Sequence, residues 1–368
     1  MKKYISMILV MVLMVAAFTG CGKTSESTTG EKASADGKIS VVTTIFPEYD
    51  WVKEIVGDNE NVDITMLLDS GVDLHSFQPT ADDIVKISTC DLFIYVGGES
   101  AGWVEDALAQ TANENRKVIN LLDVLGDSVK EEELVEGMQG EVGHDEEDGY
   151  GEKEDQDEDE QREEEDHDEE EDHAEKENQG EEVAHDEEEP EYDEHVWLSL
   201  RNAKILCEEI ADAMVEIDPE HADEYKANVT AYNEKLTELD EKYETVVREG
   251  NQKTVLFGDR FPFRYLVDDY GLDYYAAFAG CSAESEASFK TITFLAGKVD
   301  ELGLLAILQI ESADGSIAET IKNNTKEKNQ TILTLDSMQS TTLADVESGA
   351  SYLSVMEENL NVLKEALK

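Results

Sequence analysis

From Glu131 to Glu194 the chain carries 36 Asp and Glu against three Lys and Arg, a net of −33 within 64 residues. A stretch with so much like charge and so few apolar groups cannot bury enough surface to offset the entropy of an ordered backbone. It therefore predicts a disordered insertion, and whatever folds must fold on either side of it. The run closes on "EEEPEYDEHVWLSL", where acid gives way at His195 to an apolar patch around Trp197. His195 is either the last residue of the run or the first of a folded segment. The run also holds His144, His167, His173 and His185, four of the seven histidines. Imidazoles among carboxylates bind divalent ions, so the segment reads either as a solvated charge run or as a low-affinity metal sponge without fixed geometry.

Outside the run, apolar segments of strand length alternate with amphipathic helical ones. "KISVVTTIF", "VDITMLL", "DLFIYVG" and "KVINLL" form one set, and "TVLFG", "LDYYAAF", "LLAILQI" and "TILTL" a second. Alternation of strand and helix predicts right-handed crossovers and parallel sheets. The expected fold class is α/β, with two lobes, each a mostly parallel sheet flanked by helices, at residues 39–200 and 251–368. Residues 201–250 between them read as helix, broken only at Asp218-Pro219, where Pro219 suits a first helical turn capped by Asp218. Tyr225, Val229, Tyr232, Leu236, Leu239 and Tyr243 recur at helical spacing up to Gly250. A rigid helix of ~45 Å joining the lobes follows from ~1.5 Å per residue.

The N-terminus gives an address. Lys2 and Lys3, an apolar run from Met7 to Phe18 and small residues before Cys21 make a signal peptide over residues 1–20, too short for a stable membrane span. Cys21 after Phe-Thr-Gly reads as a lipidation site, and residues 21–38, rich in Gly, Ser and Thr, as a tether. The expected location is the extracytoplasmic face of a cell membrane, held by the N-terminal lipid. The whole-chain net charge of −59 excludes nucleic acid and anionic lipid surfaces as electrostatic partners and suits a body that meets cations. Cys90, Cys207 and Cys281 show no CxxC spacing and read as small buried hydrophobes rather than a thiolate site. Spacing leaves open whether Cys207 and Cys281 pair.

Ligands of open parallel sheets bind outside the carboxyl ends of the strands. His75 in "GVDLHSFQPTADDI" follows a strand, with Thr80 and Asp83 set up as a capping box for the next helix. Asp259, Glu311 and Asp336 each follow a strand of the second lobe, and His195 precedes a helix. Two imidazoles with carboxylates on strand-end loops suit zinc or manganese. His221, among acids near a helix start, reads as a surface residue. No nucleophile–base pair or phosphate-binding glycine loop is present in the sequence.

"GVDLHSFQPTADDI", "DEHVWLSL", "FRYLVDDYGL" and the closing "GASYLSVMEENLNVLKEALK" resemble the zinc- and manganese-binding solute-binding lipoproteins of bacterial ABC transporters, of the zinc uptake type. The resemblance covers nearly everything after Cys21 and includes a histidine- and acid-rich loop just before the second histidine motif. It implies that His195 begins a folded segment and that the protein, a monomer and not an enzyme, captures Zn(II) between its lobes for an ABC permease. It further implies a metal site of His75, His195, a third ligand and Asp336, with Glu311 nearby. The third ligand is histidine in zinc members and glutamate in manganese members, and neither stands in "FGDRFPFRYL". With Pro262 marking a one-residue insertion the place belongs to Asp259, the residue of choice. Without it the place belongs to Arg260, which cannot ligate. Alternatives are a Mn(II)-specific protein of the same class, a surface adhesin with a structural metal, and a metal-dependent hydrolase with Glu311 as base.

Overall fold

The computed structural model describes residues 37–140, 191–282 and 286–368. The signal segment, Cys21, most of the tether, and His144, His167, His173 and His185 lie outside the described residues.

The four apolar runs of the first lobe become β1 (Ile39–Thr43), β2 (Val62–Met66), β3 (Leu92–Tyr95) and β4 (Lys117–Asn120). They pair in the order β2-β1-β3-β4, every neighbour parallel. Parallel neighbours need crossovers, and α1 (Phe46–Val56), α2 (Ala81–Thr89) and α3 (Val104–Leu108) supply them, with α4 (Leu121–Leu125) following β4. The capping box read from the sequence starts α2. The Thr80 hydroxyl accepts from the Asp83 amide, and the Asp83 carboxylate accepts from the Thr80 amide.

Two helices then cross to the second lobe, α5 (Leu200–Ile217) and the 28-residue α6 (Ala222–Glu249), which is ~42 Å long at ~1.5 Å per residue. Between them Pro219–His221 forms a single tight turn. Asp218 does not cap it through a backbone amide as its position suggests. Its carboxylate instead takes His221 Nδ1 and the Tyr225 hydroxyl, each at 2.8 Å.

The second lobe repeats the first with β5 (Thr254–Phe261), β6 (Asp273–Ala279), β7 (Ala306–Gln309) and β8 (Thr331–Thr334) in the order β6-β5-β7-β8, all parallel. Its helices are α7 (Arg264–Tyr270), α8 (Phe289–Leu302), α9 (Ser316–Asn324), α10 (Leu343–Glu347) and α11 (Tyr352–Ala366). In both sheets the first strand is central and the chain winds to one side, then the other. The carboxyl ends of the strands at each such switch open a crevice.

The face of α6 that the sequence spacing marks is buried along its whole length, from Tyr225 to Val247. Near its start Asn228 donates to the Ile55 carbonyl of α1, and near its end the Tyr243 hydroxyl donates to the Met356 carbonyl of α11. One apolar core accordingly runs from the first lobe into the second. Tyr352 sits at that junction. Its hydroxyl donates to the Trp197 carbonyl at 2.7 Å, its amide donates to Asp50 at 2.9 Å, and its ring meets Trp51 edge-on.

The acidic run is narrower as an insertion than its charge suggests. Residues 131–140 and 191–194 belong to the folded body. Glu131 bridges antiparallel to Tyr192, the Glu132 amide donates to the Glu191 carbonyl and the Asp193 amide to the Lys130 carbonyl, each at 2.9 Å. Backbone pairing and the packing of Val135 and Met138 against the core offset the charge at both ends.

Tyr352→Phe should leave the Trp197 carbonyl buried without its donor and cost ~1–3 kcal/mol. Urea unfolding of the two proteins measures this. A change below about 0.5 kcal/mol would show that the bond does not tie the lobes together.

Candidate metal centre

His75 lies in the tight turn Leu74–Ser76 after β2, and the Asp73 carboxylate fixes that turn by accepting the His75 amide at 3.0 Å. His195 is fully buried just before the turn Val196–Leu198. Its segment is clamped by the second lobe. Tyr265 of α7 donates its hydroxyl to the Asp193 carbonyl, Trp197 Nε1 donates to the Ser337 carbonyl, and Tyr352 holds the Trp197 carbonyl.

The two histidines meet with Nε2 atoms 3.3 Å apart. Asp193 Oδ1 accepts from both the His195 amide and His195 Nδ1, at 2.9 and 3.0 Å. A carboxylate only accepts, so the Nδ1 of His195 carries a proton, and in the neutral ring Nε2 presents the lone pair. His75 Nδ1 faces Glu194 Oε2 at 3.6 Å, which orients its other nitrogen the same way. Glu194 in turn accepts from the Ser100 amide at 2.9 Å and from the Ser100 hydroxyl. Gly98, with φ of 77°, is needed here, because a β-carbon at that position would occupy the Glu194 carboxylate. Carboxylates behind imidazoles are the arrangement that fixes the tautomer of metal-binding histidines. On a tetrahedral zinc with Zn–N bonds of ~2.0–2.1 Å, two nitrogen ligands stand about 3.3–3.4 Å apart, which is the spacing seen. The pair fits the ion.

Electrostatics separates the two rings. Burial, and then the neighbouring His195, push His75 down to about 3 against the pull of Asp73, with Arg260 adding to the depression. Burial pulls His195 down as well, but Asp193, helped by Glu194 and Asp73, overcomes it and raises His195 above its ordinary value. Burial raises Glu194, which the Ser100 bonds and His195 partly offset.

A third group joins them. Cys281, just past the end of β6, has its sulfur within 4.8 Å of ligand nitrogens of both histidines. Among the described residues, His75, His195 and Cys281 are the one group of three with ligand atoms close enough to share an ion. The three described cysteines are free thiols, with Cys207 buried on α5, so no Cys207–Cys281 bond forms. Beside the site a cavity of about 250 Å³ is lined by His75, Cys281, Glu99, Glu132, Glu191 and Glu194 among others. A wider groove of about 790 Å³ between the C-terminal ends of α6 and α11 contains none of these residues.

Asp259 and Asp336 lie outside the group of three. Between Phe257 and Arg260, β5 carries one more residue than the facing stretch of β6, a bulge that re-aims side chains. The Asp259 carboxylate accepts from the Arg260 amide at 2.8 Å and the Ile310 amide at 3.2 Å. Arg260 pairs with Asp73 at 2.9 Å. Asp336 accepts from the Met338 amide at 2.7 Å, and burial followed by the charge of Glu311 pushes it up to about 6. Glu311 accepts from the amide and hydroxyl of Ser337 and the hydroxyl of Ser340, and so shapes the loop after β8. Among the described residues no Lys, Arg or His pairs with Asp336 or Glu311.

Of the residues the sequence singles out, the structure brings His75 and His195 together, and beside them stand three residues that sequence reasoning passed over. Asp193 and Glu194 were absorbed into the charge run that they close. Cys281 follows the strand run "LDYYAAF", the same strand-end signal that singles out Asp259, Glu311 and Asp336.

The family model for the zinc-uptake complex component A, periplasmic, matches residues 41–366. The chain is 30% identical over 359 residues to the zinc-binding protein AdcA of Streptococcus pyogenes, covering 97% of this chain and 61% of that protein. It thus spans about three fifths of the length of that relative. It is 28% identical to the high-affinity zinc uptake system protein ZnuA of Bacillus subtilis, covering 96% of this chain and 94% of that one. Among solved structures, the Zn(II)-bound ZnuA-like domain of Streptococcus pneumoniae AdcA superposes with a TM-score of 0.62 at 26% identity, over 90% of this chain and 99% of that one. With the match running through both lobes and the crossing helices, this chain belongs to the family of the periplasmic component A of zinc-uptake complexes.

Proposed function

We propose that the chain captures Zn(II) outside the cell membrane, to which a lipid on Cys21 tethers it, and hands the ion to an ABC permease. The observation that carries this reading is the pair of imidazole nitrogens at 3.3 Å, each ring backed by a carboxylate. Neutral nitrogen donors at tetrahedral spacing favour zinc over manganese, which takes more oxygen ligands and higher coordination. Asp336, and less directly Asp259, are the carboxylates of the second lobe that supply compensating charge. Asp336 is partly buried beside Glu311 with no cationic partner among the described residues, an arrangement that a bound cation relieves. The histidines of the acidic run, His144, His167, His173 and His185, act as weak accessory ligands that raise the local ion concentration. The name of the relative from Streptococcus pneumoniae, a zinc-binding lipoprotein, supports the tethered location. Binding without turnover is the activity expected, since Glu311 is occupied by Ser337 and Ser340 rather than facing a water beside the histidines.

A competitive zinc and manganese titration tests this on the chain beginning at Cys21, and again with residues 141–190 removed. One tight zinc site should persist in both, and His75→Ala or His195→Ala should weaken it by about a hundredfold or more, ~2.7 kcal/mol. Tight binding that disappears with residues 141–190 would move the metal site to the acidic run and sink the reading.

The pH dependence follows from the opposite shifts of the two rings. Protons compete with zinc only at a ring that takes them up. His75, held at about 3, stays neutral across the physiological range, whereas His195, raised above 6.5, is protonated first as the pH falls. Zinc affinity should therefore begin to fall near neutrality, with His195 setting the onset. Asp193→Asn removes the group that raises His195 and should shift the onset to lower pH. An onset that does not move would show that His195 is not the ring where protons and zinc compete.

A further inference from the structure

The imidazole pair leaves the ion short of donors, and neither residue at the family's third-ligand place stands with it. Arg260 is committed to Asp73, and both oxygens of Asp259 accept backbone amides. The space opposite the pair is filled from β6. Gly280 brings the backbone against His195, since a β-carbon there would lie 2.9 Å from the ring's Cε1. The next residue, Cys281, is set by its amide, which donates to Glu132 at 3.0 Å. Its sulfur completes a triangle with the two histidines in which all ligand atoms lie within 4.8 Å of one another.

We propose that Cys281 is a protein ligand of the captured ion, making a His2Cys site with a remaining position for water or a carboxylate. The proposal rests on the zinc-capture reading above and gives it a donor that neither the sequence motifs nor the family pattern supplies. The arrangement of the histidines is the independent observation behind it. With their other nitrogens turned to Asp193 and Glu194, the two Nε2 atoms face each other at 3.3 Å, and the sulfur lies within 4.8 Å of a ligand nitrogen of each ring. On binding, the S–H bond breaks, its electron pair passes to the metal and the proton leaves to solvent, with no change of oxidation state. A thiolate at this position separates metals by softness. It strengthens zinc binding and does little for manganese, which prefers oxygen donors. The substitution of sulfur for the missing third ligand thereby sharpens the choice of zinc.

X-ray absorption at the zinc edge of the full-length protein, loaded with one equivalent of zinc, tests the assignment. One sulfur at ~2.3 Å should appear beside nitrogen and oxygen ligands at ~2.0–2.2 Å. Cys281→Ser should lose the sulfur shell and bind zinc about tenfold or more weakly, with manganese affinity nearly unchanged. Because a substitution can disturb folding, the unsubstituted protein gives a second readout. Alkylation of Cys281 should be blocked by one equivalent of zinc and not by manganese. Zinc bound without sulfur in its shell, or alkylation unaffected by zinc, would overturn the thiolate and leave zinc capture standing. A protein that takes up no zinc at its histidines would overturn both.

Discussion

Two imidazole nitrogens 3.3 Å apart, each with its partner nitrogen turned to a carboxylate, set lone pair against lone pair whenever both rings are neutral, an arrangement that a cation or a shared proton relieves. The surrounding structure holds this unfavourable arrangement in place. The segment from Asp193 to Leu198 is almost wholly out of contact with solvent. It is pinned by Tyr265 at the Asp193 carbonyl, by Ser337 at the Trp197 indole and by Tyr352 at the Trp197 carbonyl. These three partners all come from the second lobe, whereas His75 comes from the first. The joint between the lobes and the geometry of the candidate site are therefore one set of contacts. Pre-organisation of this kind reduces the ordering cost when an ion arrives, because the donors are already at the spacing that the ion requires.

The charge around the pair has the same logic. Buried carboxylates are costly without partners, and here Asp193 and Glu194 are satisfied by histidine, backbone and serine donors. The Arg260 guanidinium is drawn off by Asp73. Such a field favours a divalent cation and pulls unevenly on the two rings, since only His195 has a carboxylate at 3.0 Å.

Much of this was legible in the sequence because it depends on local pattern. All eight strands begin in the quoted apolar runs, the capping box at Thr80 and Asp83 forms, and the buried face of α6 is the one that its tyrosines and leucines mark. β5, however, continues past its run to Phe261, so Asp259 lies within the strand and not after it as its sequence position suggests. His75 and His195 were legible through their motifs. What escaped depends on pairing between distant segments. The bulge in β5 exists only relative to β6, so the side-chain directions of Asp259 and Arg260 could not be read along one strand. Cys281 carries no local ligand spacing, since its partners come from the loop after β2 and the segment after the acidic run. Asp193 and Glu194 were hidden by their neighbours, because a net charge does not distinguish an acid that faces water from one that faces an imidazole.

The acidic run and the candidate site are joined at this same point. Lys130 and Glu132 pair with Asp193 and Glu191, so residues 130–132 and 191–193 lie side by side in the folded body. One foot supplies Glu132, which fixes the Cys281 amide, and the other supplies Asp193 and Glu194, which orient the histidines. Carboxylates of both feet line the 250 Å³ cavity beside His75 and Cys281. The cavity thus sets carboxylate oxygens beside the imidazole of His75 and the sulfur of Cys281. A continuous core and α6 bind the lobes along their length. The short loops at the strand ends are held instead by side-chain hydrogen bonds, as Asp73 holds the His75 turn and Glu311 and Asp336 hold the loop after β8, rather than by sheet or helix ladders.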